Sequence, residues 1–322
     1  MRIRIFLGAA VLFVLFAPLS YGEDAADVIV KTQRIIEPFK RSVPWEIDLG
    51  EKGSIEIKLT SERGFPMVDA YLNQEGPFKF LVDTGADSSI ISFDLAKKLK
   101  LEPQESKKQT FETAHKKAEI RTDLYIIPLL KLGNAVIKHA PFVASNTASD
   151  DFQLLQDLNI TGIIGANLFH DIILTLDLSQ PKMILSQTLH DIKGYPVKLD
   201  KKYYLPVIKS TVIRKDGESE YNLLVDSGYS GFIKMPICFP QKKSHHGHDA
   251  IVTYDVFKEP ESGFIAELDG TLKIGDKELE NPMVKYTMGR CEEKQAWGLI
   301  GTRYLQHQTL SIDQRNREVI LH

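Results

Sequence analysis

Cysteine is scarce in this chain of 322 residues, and the motifs that cysteine or serine nucleophiles require are missing. Neither of the two cysteines, Cys238 and Cys291, belongs to a Cys-x-x-Cys pair or a nucleophile turn. No Gly-x-Ser-x-Gly sequence occurs, which argues against a serine hydrolase. The cysteines are therefore structural, and the sequence alone leaves open a disulfide or two separate buried thiols.

The chain also lacks a concentrated charge of either sign. Its net charge is −3, and its lysine pairs are dispersed without interleaved aromatic residues, so nucleic acid is not an expected partner. A histidine-rich stretch at 244–249 has metal-ligand residue types, but a structural zinc site expects ligands at two separated places. We therefore predict an exposed loop there, with no metal and no cofactor.

The N-terminus has the pattern of an export signal. Arg2 and Arg4 precede an apolar stretch at 5–19, which is short for a membrane span and is followed by small residues. We expect a signal peptide at 1–22, cleaved after Gly22, and a periplasmic or secreted protein with no stable membrane insertion; an uncleaved anchor is the alternative. Residues 23–43 are predicted to be a mobile tail or a pro-segment that covers a cleft.

From Trp45 onward, short alternating runs punctuated by glycine and proline predict one strand after another. Helical periodicity is confined to Phe93–Leu99 and to a short segment at 166–170. The fold is therefore predicted to be all-β.

One of these predicted strands ends abruptly at an acid. The apolar run at 78–82 is followed by Asp83-Thr84-Gly85, whose residues favour a sharp turn. The same arrangement returns at 221–230, where Asp226-Ser227-Gly228 follows an apolar run. Each predicted strand therefore presents a carboxyl group at the point where the core ends.

Other segments of the chain also repeat in the same order, which argues that the two acid-containing motifs do not match by accident. Several segments of the first half are answered in the second half, namely Pro44–Leu49 by Pro196–Asp200, Leu130–Gly133 by Leu272–Gly275, Gly162–Gly165 by Gly298–Gly301, and Ile173–Asp177 by Thr309–Asp313. One structural unit is therefore written twice.

This doubled pattern resembles the aspartic proteases. The Asp-Thr-Gly-Ala-Asp form is similar to the retropepsin branch, and two copies in one chain resemble the bilobal, pepsin-like arrangement, here in a form exported by bacteria. The resemblance covers about residues 44–322 and implies two retropepsin-like lobes, at 44–190 and 191–322. It implies pseudo-twofold symmetry between the lobes and one active-site cleft between them.

The resemblance implies an aspartic endopeptidase that acts on peptide or protein substrates as a monomer. Asp83 and Asp226 would face each other as the catalytic pair, share one proton because two close carboxylates do not both ionise readily, and activate a water molecule. The resemblance further implies that hydroxyl groups join the two turns, that glycine amides approach the carboxyls, and that serines bind the outer carboxyl oxygens. These supporting residues are Thr84, Ser227, Gly85, Gly228, Ser88 and Ser230.

A flap over the cleft is expected at 110–119, with a counterpart near Thr253–Phe257, so that His115 and Tyr254 are candidate cleft or flap residues. Tyr229 stands where the family usually has a small residue, and its ring would either narrow the cleft or point into lobe 2. This departure keeps a second class of function open, namely a catalytically weak or inactive peptide-binding protein on the same scaffold. A third alternative, in which each lobe pairs with its twin in another chain, is disfavoured by two unequal motifs.

Overall fold

The computed structural model consists mainly of strands, which confirms the predicted all-β class. The segment at 23–43 lies outside the residues that the structure describes. Those residues are 4–6, 13–15, 45–86, 88–112, 117–145, 158–169, 171–189, 195–198, 205–241, 250–254, 260–287 and 297–321.

An N-terminal sheet of nine strands carries the first Asp-Thr-Gly turn, in the order β3-β11-β8-β12-β7-β6-β10-β9 with β5 paired to β6. The last residues of β7 form a continuous buried run, because the parallel strand β12 lies beside them in the interior. The strands of this sheet are β3 (Glu46–Asp48), β5 (Thr60–Glu62), β6 (Phe65–Leu72), β7 (Glu75–Val82), β8 (Ile90–Ser92), β9 (Glu105–Glu112), β10 (Lys117–Leu132), β11 (Ala135–Ser145) and β12 (Gly162–Ile164).

A C-terminal sheet of nine strands carries the second turn, in the order β19-β20-β23-β18-β24-β17-β16-β21-β22. Its strand β17 has the parallel partner β24, just as β7 has β12. The strands are β16 (Val207–Arg214), β17 (Gly217–Val225), β18 (Ile233–Pro236), β19 (Ala250–Tyr254), β20 (Pro260–Glu267), β21 (Thr271–Ile274), β22 (Lys277–Glu280), β23 (Met283–Thr287) and β24 (Trp297–Ile300).

A third sheet of six strands draws on both halves of the chain, in the order β15-β26-β25-β13-β14-β4. At its centre β13 and β25 are antiparallel, and the hydroxyls of Thr175 and Ser311 lie 2.8 Å apart across them. Asp177 and Asp313 end these two strands, and each accepts a backbone N–H group of the turn that follows it. The strands are β4 (Ser54–Lys58), β13 (Ile173–Asp177), β14 (Lys182–Ser186), β15 (Tyr195–Lys198), β25 (Thr309–Asp313) and β26 (Glu318–Leu321).

The helices are few and short, and two of them lie where helical periodicity was predicted. Helix α1 (Phe93–Lys98) begins at Ser92, whose hydroxyl accepts the N–H of Leu95, and a 3-10 helix spans Ala166–Phe169. Helix α2 (Thr302–Leu305) follows β24. Within the described ranges, no helix has the length and apolar character needed to span a membrane.

Two further features concern the predicted signal peptide and the cysteines. Two short strands, β1 (Arg4–Phe6) and β2 (Phe13–Leu15), pair antiparallel within residues 1–22. Cys238 is disulfide-bonded. Cys291, the only other cysteine in the sequence, lies outside the described residues.

Candidate active site

Both acids lie directly after a buried strand, as the sequence predicts. β7 ends at Val82, and the N–H of Asp83 donates to the carbonyl of Ile164 at 3.0 Å. In the C-terminal sheet, the N–H of Asp226 donates in the same way to the carbonyl of Ile300 at 2.9 Å. Each acid is therefore held at its backbone by the parallel strand that lies beside its own strand.

The two turns are joined by reciprocal hydrogen bonds. The hydroxyl of Thr84 donates to the carbonyl of Val225 at 2.7 Å and accepts the N–H of Ser227 at 3.0 Å. The hydroxyl of Ser227 donates to the carbonyl of Val82 at 2.8 Å and accepts the N–H of Thr84 at 2.9 Å. All four bonds are buried, so the two turns form one rigid unit.

Both carboxyl groups lie inside this unit and are only partly satisfied. Asp83 is 1% and Asp226 0% exposed, and the Oδ1 atom of each accepts a glycine N–H at 2.9 Å, from Gly85 and Gly228 respectively. The Oδ2 atom of each is buried without a hydrogen-bond partner among the described residues. A buried polar atom without a partner is costly, so these two oxygens are positions where a bound water or substrate would be stabilised.

Burial and mutual repulsion raise the proton affinity of the pair. Desolvation is the largest cause that raises the pKa of Asp83 well above its ordinary value of 3.8, and the neighbouring Asp226 charge is the second. Desolvation also raises the pKa of Asp226 to about 7, opposed by the Gly228 N–H group and by the positive charge of Lys234. Both shifts are upward, so the pair as a unit retains a proton at pH values where ordinary carboxyl groups are ionised.

The predicted hydrogen bonds from Ser88 and Ser230 to the outer carboxyl oxygens are not formed, because those oxygens have no partner. The neighbouring Ser89 makes the structural contacts instead. Its hydroxyl donates to Oδ1 of Asn167 at 2.8 Å and accepts the N–H of Gly165 at 2.9 Å. Ser89 therefore ties the first turn to the chain after β12. The sequence signals only that one of the two adjacent serines has a structural role, and it does not decide which one.

Tyr229 points into the protein rather than into solvent. It is 5% exposed, and its ring occupies the space over two glycines. A Cβ atom on Gly231 would lie 2.2 Å from the ring, and one on Gly301 would lie 2.5 Å from it. Those two positions must remain glycine for the ring to fit, which explains how the second turn accommodates a bulky residue.

Sequence reasoning missed Lys234, a buried cation beside the second acid. It is 7% exposed, and its Nζ lies 5.9 Å from the centroid of the Tyr229 ring, a cation–π distance. The strand that follows the first turn, β8, makes three consecutive parallel residue pairs with β11, beginning at Ile90. The strand that follows the second turn, β18, makes three such pairs with β23, beginning at Lys234. Lys234 therefore occupies the place that Ile90 has in the N-terminal sheet, and the C-terminal sheet brings a charge to its acid that the N-terminal sheet does not.

The remaining predicted cleft residues cannot be assigned to the site. The hairpin β9–β10 lies where the flap was predicted, but its tip at 113–116, with His115, lies outside the described residues. Tyr254 ends β19, and its backbone pairs with Pro260. Among the described residues there is no cluster of three or more His, Cys, Asp or Glu side chains that could hold a metal, and the stretch at 244–249 lies outside them.

Comparison with known families agrees with this geometry over the first turn. A family model described as "Aspartyl protease" matches residues 68–168, which span β6 to the 3-10 helix and include Asp83. The match covers about a third of the chain and supports an aspartyl protease family for this part of it. No curated protein matches the chain.

Proposed function

Because residues 68–168 match the aspartyl protease family, we propose that this protein is an aspartic endopeptidase that hydrolyses peptide bonds. Asp83 and Asp226 activate a water molecule for attack on a peptide carbonyl. The observation that carries the proposal is the reciprocal hydrogen bonding of Thr84 and Ser227, which fixes two buried acids side by side. Each acid then offers an outer oxygen that has no partner in the protein among the described residues.

The proposed first step is a concerted transfer of two protons. Ionised Asp226 takes a proton from water while the water oxygen bonds to the carbonyl carbon, and protonated Asp83 gives its proton to the carbonyl oxygen. In the second step Asp226 returns its proton to the peptide nitrogen, the C–N bond breaks, and Asp83 regains a proton from a hydroxyl of the tetrahedral intermediate. The pair ends as it began, without a covalent intermediate.

Lys234 supports this assignment of roles. Its positive charge lowers the pKa of Asp226, whereas no cation of the described residues is among the causes that shift the pKa of Asp83, so the difference between the two acids favours Asp226 as the base. The second candidate function is the binding of peptides without cleavage. It would apply if the charge of Lys234 kept both carboxyls ionised, because no acid would then remain to protonate the carbonyl oxygen, but the raised pKa of both acids argues against that state.

We further propose an exported monomer. The pattern of residues 1–22 supports export, and the disulfide at Cys238 suits an oxidising compartment. Both acids of the pair belong to one chain, so a second subunit is not needed to complete the site.

Cleavage of a mixed peptide library from about pH 3 to about pH 8 tests the proposal, because the pH profile reports the titration of the pair. We expect cleavage by the mature protein and none by Asp83→Asn, with both proteins folded by circular dichroism. Asp177→Asn, which changes a turn acid outside the site, is the matched control and should retain cleavage. Turnover that survives Asp83→Asn would refute the mechanism, whereas peptide binding without cleavage at any pH would favour the second candidate.

A further inference from the structure

A cavity of about 570 Å³ lies beside the loop that follows Asp226. The turn between β5 and β6, which contains Arg63 and Gly64, lines this cavity together with Ser230, Gly231 and helix α2. Because Ser230 is only four residues beyond the acid, a chain bound at the carboxyl pair and extending along this loop would reach the cavity.

The described lining of the cavity has a positive character. Arg63 and Arg303 both line it, both are exposed, and none of the described residues that line it is acidic. Within the described part of the chain, neither guanidinium forms an ion pair or a side-chain hydrogen bond. Two guanidinium groups around one space, without an acid between them, suit a carboxylate, which arginine binds through paired hydrogen bonds.

The turn that presents Arg63 has an unfavourable residue for its geometry. Arg63 has φ 52 and Gly64 has φ 86, so both central residues of this two-residue hairpin loop are left-handed. Such turns prefer asparagine, aspartate or glycine at the first position, and other residues there carry a conformational cost. Arginine at this position therefore does not stabilise the turn, which favours a binding role for its side chain.

A buried hydroxyl in the lining of the cavity also lacks a partner among the described residues. Thr302 is 3% exposed, and its Oγ1 has no hydrogen-bond partner among the described residues. It faces the turn, since a Cβ atom on Gly64 would lie 3.5 Å from it. The helix that carries Thr302 and Arg303 is tied to the loop after the acid, because the N–H of Arg303 donates to the carbonyl of Gly231 at 3.1 Å.

We propose that this cavity is a substrate subsite for an acidic side chain, which Arg63 and Arg303 bind through its carboxylate. The inference rests on the proposed endopeptidase function and adds a substrate class to it: peptides that carry glutamate or aspartate a few residues from the bond that is cut. Selectivity then comes from charge outside the carboxyl pair, and the pair itself needs no contact with the acidic residue.

The test uses a peptide cleaved in the library experiment, remade as a series in which one position at a time is Glu or Gln. At one position we expect kcat/KM to favour Glu over Gln by about tenfold or more, the usual range for a charge-assisted hydrogen bond. Arg63→Met and Arg303→Met should each reduce this ratio, and the double variant should bring it close to one. Arg214→Met, which removes a half-buried arginine paired with Asp216 on the hairpin β16–β17, should leave the ratio as it is.

The outcomes separate this inference from the proposed function. If peptides are cleaved but no position shows a Glu-over-Gln preference, or if the double variant retains the preference, the subsite is refuted and the endopeptidase stands. If no peptide is cleaved, fluorescently labelled Glu and Gln peptides are titrated against the folded full-length protein. Tighter binding of a Glu peptide that is lost in the double variant supports the subsite, and equal binding refutes it.

Discussion

Replacement of Asp226 by asparagine should stabilise the protein at neutral pH. Asparagine keeps the size of the side chain and an oxygen that accepts the Gly228 N–H, but it does not ionise. The pKa of Asp226 is about 7 in the folded protein against an ordinary 3.8, a difference of roughly 3 units at 1.36 kcal/mol each. The stability at stake is therefore about 4 kcal/mol.

The sign follows from which state of Asp226 binds the proton. Above about pH 4 the unfolded chain releases this proton while the folded protein keeps it up to about pH 7, so the wild-type free energy of unfolding falls as pH rises through this window. The free energy of unfolding of Asp226→Asn does not fall in this way, because asparagine does not titrate. The value of about 4 kcal/mol is an upper bound, because the variant also leaves the buried Lys234 without the charge that it faces.

Urea unfolding of both proteins at several pH values from about 4 to about 8 measures this effect. The difference in unfolding free energy, variant minus wild type, should start near zero and grow with pH until about pH 7. Asp177→Asn, which replaces an acid at a turn outside the site, is the matched control for the substitution itself. A difference that is flat or falls with pH would refute a buried Asp226 with a raised pKa.

Two other substitutions test the surroundings of the pair. Lys234→Met should raise the pKa of Asp226 and move the acidic limb of the pH–rate profile to higher pH. Lys234→Arg should restore the position of this limb, and Ile90→Met, at the matching place in the N-terminal sheet, should leave the limb where it is. An unmoved limb in Lys234→Met would contradict the electrostatic role of Lys234. Ser227→Ala should cost about 1–3 kcal/mol of unfolding free energy, because it removes the hydroxyl that bonds the Thr84 N–H and the Val82 carbonyl. Ser227→Thr keeps the hydroxyl and is the control. Equal stability of the alanine and threonine variants in thermal unfolding would show that these bonds contribute nothing.

The sequence was sufficient to predict the strands that end at the acids and the residues that join the two turns. The apolar run that stops at Asp83 predicts a buried strand from its local composition alone. The recurrence of the same pattern at Asp226 indicates that the two acids, although distant in sequence, belong to one site. Thr84 and Ser227 followed from the family resemblance, because their place beside the acids is fixed by the turn itself.

The sequence was insufficient where contacts cross between strands. Lys234 looks like an ordinary solvent-exposed lysine at the start of a strand, and only the pairing of β18 brings it beside Tyr229 and Asp226. Ser88 was predicted to bind the outer oxygen of Asp83, and the structural role of the neighbouring Ser89 was not predicted, because a turn of unknown twist does not reveal which of two neighbouring serines faces inward. Such choices depend on the register of distant strands, which local propensity does not encode.

The reciprocal bonds between the two turns have a consequence for how the protein opens. Most functional loops belong to the least stable parts of a protein and exchange their amide hydrogens through local fluctuations. Here the amides of Thr84 and Ser227 are buried and each is bonded to the opposite turn, so neither is released unless both halves of the chain come apart. The carboxyl pair should thus be among the slowest-exchanging parts of the molecule, and activity should persist until the whole fold is lost rather than fade through partial opening.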